Sequence, residues 1–177
     1  AALRSARRPA GPEPVVDDTE PAWDSSAREL TQVVKEFAKA LAAGFDLPRV
    51  LDLFLDAVSE LARPTRSAIL LSEDEHRQYR VRASRGLAPL VVESVSLPAD
   101  SGLPLWLMSE GRLIQIEEAH AKSADATARE IAREMAVLQA VVAIPLASHG
   151  QLVGILTLGQ RITGGTYGRR ETETLFN

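Results

Sequence analysis

The chain has 177 residues, enough for one domain with a real core and too few for two ordinary ones. Hydrophobic residues make up 45% and charged ones 25%, the balance of an ordinary globular protein, and the formal net charge of −4 argues against a general attraction to nucleic acid or anionic membrane. The absence of cysteine excludes disulfides, thiolate zinc sites, iron–sulfur clusters, a thiol nucleophile and a thioether-linked chromophore.

Residues 1–25 read as a flexible linker. Arg4, Arg7 and Arg8 precede Pro9, Pro12, Pro14, Asp17, Asp18, Glu20 and Pro21, with too few large apolar side chains to bury and no apolar run of signal-peptide form. A first helix is predicted from Ser26, with Ser26 as N-cap and Glu29 as its capping-box partner. Its apolar residues Ala27, Leu30, Val34, Phe37 and Leu41 alternate spacings of three and four, a heptad seam that fits either the domain's own sheet or a second copy. Ala43-Gly44 ends it. Asp46 is expected to cap a second helix with an apolar face of Val50, Leu51, Phe54, Leu55, Val58 and Leu61, stopped by Arg63-Pro64.

Ser67–Leu71 is a short buried strand, followed by a charged loop from Glu73 to Arg77. In Tyr79–Ser84, Tyr79, Val81 and Ala83 are expected on one side and Arg80, Arg82 and Ser84 on a wet one. Val91–Leu97 reads as a third strand, Leu103–Ser109 as a short helix ended by Gly111, and Leu113–Ile116 as a fourth strand. Ala124–Val137 has helical pattern, Gly164-Gly165 makes a loop, and a last helix is expected from Arg169 to Phe176. The chain stops inside that helix, as a piece of a longer polypeptide would.

The most informative stretch is Gln139–Gln160. Two runs rich in β-branched residues flank His149-Gly150, the form of a two-residue hairpin loop. The expected register sets Leu146 opposite Val153, Ile144 opposite Ile155, Ala143 opposite Leu156 and Val141 opposite Leu158, so both faces are apolar and the hairpin should be central, covered on each side. Pro145 beside Gly154 marks a broken or bulged ladder. No charge occurs from Met135 to Gln160, yet Ser148-His149-Gly150-Gln151 at the middle rules out a membrane-spanning helix.

This order of elements, with Ile144-Pro145-Leu146, Gly150, Gly154-Ile155-Leu156 and the Gly111–Glu117 segment, resembles the GAF domain over residues 26–177. The resemblance implies an α+β fold, an α/β sandwich with a central antiparallel sheet of five or six strands and flanking helices. It implies a non-catalytic, cytoplasmic sensory module of a bacterial signalling protein, joined to an effector such as a histidine kinase of a two-component system. It also implies a small-molecule pocket, open or filled. The Asn-Lys-x-Phe-Asp-Glu signature of cyclic-nucleotide-binding members is absent, since Gly159-Gln160-Arg161-Ile162-Thr163 stands there. Bilin-binding members and the free-methionine-sulfoxide reductases of this fold need cysteine, so no bilin is expected. Haem is not expected either, because Ile131–Gln139 has no histidine.

No nucleotide-binding glycine loop, zinc-protease helix or nucleophile-elbow motif is present. His76, His120 and His149 stand apart, and Glu117, His120 and Asp125 make too sparse a set for a metal. The candidate site is a cavity between the sheet and segments 98–109 and 117–137. Trp106 would wall it, Arg129 and Arg133 would meet an anion, and Glu117, His120, Gln139 or Thr157 would orient a polar group. The plainer alternatives are core packing for Trp106 and a solvated face paired with Glu130 or Glu134 for the arginines. A homodimer through the terminal helices completes the expectation.

Overall fold

Val142–Ser148 (β5) and Gln151–Leu158 (β6) turn back on each other about His149 and Gly150, both with positive φ, 51° and 76°. A two-residue loop of type I′ demands that backbone at both positions. In the computed structural model, which describes residues 22–42, 46–73, 77–165 and 167, this hairpin lies inside a six-stranded antiparallel sheet ordered β3-β2-β1-β6-β5-β4. The remaining strands are β1 (Ser67–Glu73), β2 (Gln78–Arg85), β3 (Ser96–Pro98) and β4 (Ile114–Gln115). The expected linker up to Pro21, Gly44 of the first helix stop, the loop around His76 and the last helix from Arg169 lie outside the described residues.

The hairpin register is set one residue away from the expected one over most of its length. Ile144 pairs with Leu156, Ala143 with Thr157 and Val142 with Leu158, whereas Ala147 pairs with Leu152 next to the turn. The shift falls between Leu146 and Ala147, where Val153 is the extra residue on β6 and Gly154 becomes the partner of Leu146. The bulge is thus where Pro145 and Gly154 pointed, and it changes which side chains meet across the pair. A second shift between Ile69 and Leu70 leaves Arg82 unpaired on β2. Tyr79 and Val81 therefore face one side of the sheet, and Ala83 turns to the other rather than joining them.

Helices cover both faces. On the first lie α1 (Ala22–Ala42) and α2 (Leu47–Ala62). The first helix begins at least four residues before Ser26, so Ser26 is inside it and not its N-cap. Asp46 stands at the N-cap of α2 but makes no side-chain cap bond, and Pro48 occupies the first turn, where its missing N–H costs nothing. Arg63, in the left-handed region, ends α2 ahead of Pro64. The heptad seam of α1 is directed inward: Leu30, Val34 and Phe37 are buried with Leu51, Phe54, Leu55, Ile69, Ile144 and Leu156. Phe37 stacks on Phe54 with ring centroids 3.9 Å apart.

On the second face lie α4 (Gly102–Glu110), α5 (Ile116–Ala121) and α6 (Ala126–Val137), with α3 (Pro89–Ser94) at the β2–β3 end. Leu103, Leu107, Ile131, Met135 and Leu138 bury against Ala68, Leu70, Ala143 and Ile155. Two expectations need correction here. Val91–Leu97 is not one strand: Pro89 at the first helical turn starts a helix through Ser94, and only Ser96–Pro98 pair. Leu113–Ile116 shrinks to a two-residue strand because Ile116-Glu117-Glu118-Ala119-His120-Ala121, rich in helix formers, turns into α5. The two hairpin strands are buried along most of their length, as a doubly covered pair should be.

Candidate functional site

Between α4, α5 and α6 lies a cavity of about 60 Å³, lined among others by Trp106, Ile114, Glu118, Ala119, Ala128 and Ile131. That volume admits a few waters and is well under the roughly 300 Å³ of a typical ligand pocket. Its size follows from the side chains around it. Leu103, Leu107 and Met135 are fully buried in the same core, while alanines on α5 and α6 line the gap.

Trp106 is the one expected site residue that lines this cavity. The Arg112 guanidinium lies 4.7 Å over its ring and holds the Glu118 carboxylate with two hydrogen bonds of 3.0 and 2.7 Å. Lys122 approaches the same carboxylate at 3.6 Å. The Arg112 hydrogen bonds, with Lys122 adding to them, hold the Glu118 carboxyl below the usual carboxylate range despite its partial burial. Lys122, Asp125 and Thr127 complete the polar rim. Asp125 serves structurally as N-cap of α6, accepting from the Thr127 N–H at 3.0 Å.

The other expected residues are elsewhere. Glu117 and His120 are exposed on α5, whose helical geometry turns Glu118 and Ala119 inward in their place. Arg129 is exposed and its guanidinium donates back to the carbonyls of Ser123 and Ala124. Arg133 is exposed beside a separate groove of about 230 Å³ between α6 and Ser94–Leu97. Gln139, with φ of 51°, is an exposed turn residue after α6. Thr157 is buried, but its hydroxyl is 3.4 Å from the Ala68 carbonyl within the sheet. Arg80, Arg82 and Arg85 form no free basic patch: Arg82 pairs with Glu73, Arg85 with Asp52 and Asp56 on α2, and Arg80 donates to the Glu93 carbonyl. Among the described residues no set of three or more His, Asp or Glu is placed to hold a metal.

Two features were not foreseen. Glu134 on α6 reaches across to α4 and accepts a hydrogen bond from the Leu103 N–H at 2.6 Å. Nothing local to either segment signals a contact between residues 31 apart in sequence. Tyr167, buried, donates through its hydroxyl to the Gly159 carbonyl at 3.2 Å and carries the Arg161 guanidinium 4.7 Å over its ring. Its backbone carbonyl accepts from Gln115 Nε2 at 2.7 Å, and Gln115 is the residue from which α5 starts. Burial raises the Tyr167 hydroxyl to about 12.

No helix among the described residues is long and apolar enough to cross a membrane. Among curated proteins none matches the chain significantly. Solved structures do. The chain is similar to the GAF domain of an Acinetobacter phosphoenolpyruvate-protein phosphotransferase, with 16% identity and a TM-score of 0.54 over 81% of this chain and 83% of that one. It resembles the GAF domain of the corresponding protein from Coxiella burnetii at 19% identity and TM-score 0.55, covering 85% and 88%. A methyl-accepting chemotaxis protein, residues 122 to 287, gives 18% identity and TM-score 0.57 over 78% and 87%. At these identities the structures share the fold, and the sequence match is carried by the GAF domain family model, which fits residues 46–176. The chain belongs to the GAF domain family, whose members are generally non-catalytic regulatory and sensory modules of signalling proteins.

Proposed function

We propose that this domain is a non-catalytic regulatory module of a bacterial signal-transduction protein, in which the α4–α6 layer receives a signal and the terminal segments deliver it. The observation that carries the reading is the Gln115–Tyr167 hydrogen bond. Gln115 opens α5, which supplies Glu118 and Ala119 to the cavity, and Tyr167 is the last described residue before the C-terminal segment. A displacement of α5 therefore pulls on Tyr167, on the segment that follows β6. In this reading a small molecule entering beside Trp106 separates α5 and α6, and it transmits no more free energy than its differential affinity for the two arrangements. The effector, a histidine kinase or another signalling enzyme, lies in the same cytoplasmic polypeptide, and two copies pair through the terminal helices.

The second reading is a ligand-free dimerisation and relay module, favoured by the small cavity of about 60 Å³. Native mass spectrometry of the purified domain, with a thermal-shift screen of nucleotides, amino acids and organic acids, separates the two. A retained or stabilising ligand supports sensing, and none across the screen leaves relay. Pairing is checked by sedimentation with the segment beyond Tyr167 included, where a monomer at high concentration removes the dimer from either reading.

A further inference from the structure

Two carboxylates one helical turn apart tie α6 to α4. Glu134 accepts from the Leu103 N–H at 2.6 Å, and Glu130 accepts from Ser101 Oγ at 3.1 Å. Ser101, at the N-cap position of α4, makes no side-chain cap bond of its own, so Glu134 satisfies an amide that a helix start leaves without an intrahelical partner. Gly102 has φ of 53°, and a Cβ there would collide with the Glu134 carboxylate.

Among the described residues this carboxylate forms no ion pair. From α6, Glu130 repels it, and Arg133, which lines the groove between α6 and Ser94–Leu97, is exposed and makes no ion pair with it. From α4 it meets the backbone of Gly102 and Leu103, and from the α3–β3 segment Ser94, Val95, Ser96 and Leu97, none of them charged, line the same groove. The backbone amide and helix dipole favour the anion, yet burial outweighs them and pushes the carboxyl up to about 7.

We propose that Glu134 is a latch that closes the α4–α6 layer when protonated and releases it when ionised. A neutral carboxyl still accepts the Leu103 N–H through its carbonyl oxygen and needs no counter-ion. An ionised one gains by reaching water, which draws α6 away from the start of α4. Trp106 on α4 and Ala128 and Ile131 on α6 wall the same cavity, so release widens it. The device goes beyond the regulatory reading above and operates whether or not the cavity takes a ligand.

The test follows Trp106 fluorescence against pH in the full chain carrying Trp23→Phe, which leaves Trp106 as the sole tryptophan. The emission should move to longer wavelength between pH 6 and 8 with a midpoint near 7. Glu134→Gln should hold the acid-form spectrum throughout, and Glu130→Gln should lower the midpoint by removing the like charge. An unchanging wild-type spectrum overturns the latch, as does a transition of equal size and midpoint in Glu134→Gln, which would then belong to another group. Should Glu134→Gln not fold, wild-type hydrogen exchange corrected for intrinsic rates decides. Protection in α4 and α6 should fall several-fold from pH 6 to 8 while α2 holds, and equal behaviour of the three helices overturns the proposal.

Discussion

The two faces of one sheet are built to different specifications. Under α1 and α2 the core is mainly apolar, with the Tyr167 hydroxyl at its edge: Phe37, Phe54, Leu55, Val58, Ile69, Leu146 and Leu156 interlock, and the charged contacts of α2 remain at its rim with Arg85. Under α4, α5 and α6 the packing is as tight around Leu103 and Met135, but it is interrupted by a cavity and by a half-buried carboxylate capping another helix. A continuous apolar core has one good arrangement and resists opening. A layer held partly by hydrogen bonds and by a group of variable charge has two within reach.

The largest test of that contrast is Phe54→Ala, which removes the stack with Phe37 and should cost about 3–5 kcal/mol. Denaturant unfolding should remain a single transition, because the first face holds the whole sheet. The second test is pH. Glu134 rises from 4.5 to about 7 in the folded protein, so the fold binds its proton more tightly than the unfolded chain does. Its contribution is complete below pH 4.5 and is lost as pH rises through 7, and solvent screening of this half-buried group keeps it below the roughly 3 kcal/mol of the full conversion. Unfolding free energies from urea at pH 6 and pH 8 should differ by about 1 kcal/mol in wild type, because much of the contribution is already lost at pH 6, and by much less in Glu134→Gln. Glu118, held low by Arg112, acts oppositely, with stability present above its ordinary value and lost on acidification. The third is Ala128→Val, which extends a side chain into the cavity and should change stability by no more than about 1 kcal/mol while abolishing any ligand-induced thermal shift. The smallest is Arg112→Ala, which frees Trp106 and Glu118 and should cost about 0.5 kcal/mol, less in high salt, since Arg112 is largely exposed.

The architecture was legible where local pattern and tertiary context agree. The β-branched runs about His149-Gly150 announced a hairpin covered on both sides, and both strands are buried. Bulges were only half legible: Pro145 and Gly154 located one, but nothing marked Val153 or Arg82 as the extra residue, and each reset the faces beyond it. Val91–Leu97 misled because β-branched residues hide a helix whose signal was Pro89 at its start. For the site, Trp106 was legible from its size, while Glu118 lines the cavity in place of Glu117 because α5 turns it inward. The pairing of Arg129 and Arg133 with Glu130 and Glu134, the plain alternative for that helix, is not formed. Both glutamates turn instead to α4, a choice decided by Ser101, Gly102 and Leu103, which no helical spacing could reveal.

At Gly154, in the middle of β6, an added methyl would stand 2.7 Å from the Leu70 carbonyl and 2.8 Å from Leu71 Cδ2. The crowding comes from the backbone of a neighbouring strand, which cannot swing aside as a side-chain tip can. A library randomised at this one codon and selected for soluble expression should therefore return glycine almost alone, even with alanine, the mildest alternative, in the pool. A position with no side chain would then tolerate less change than the leucines around it.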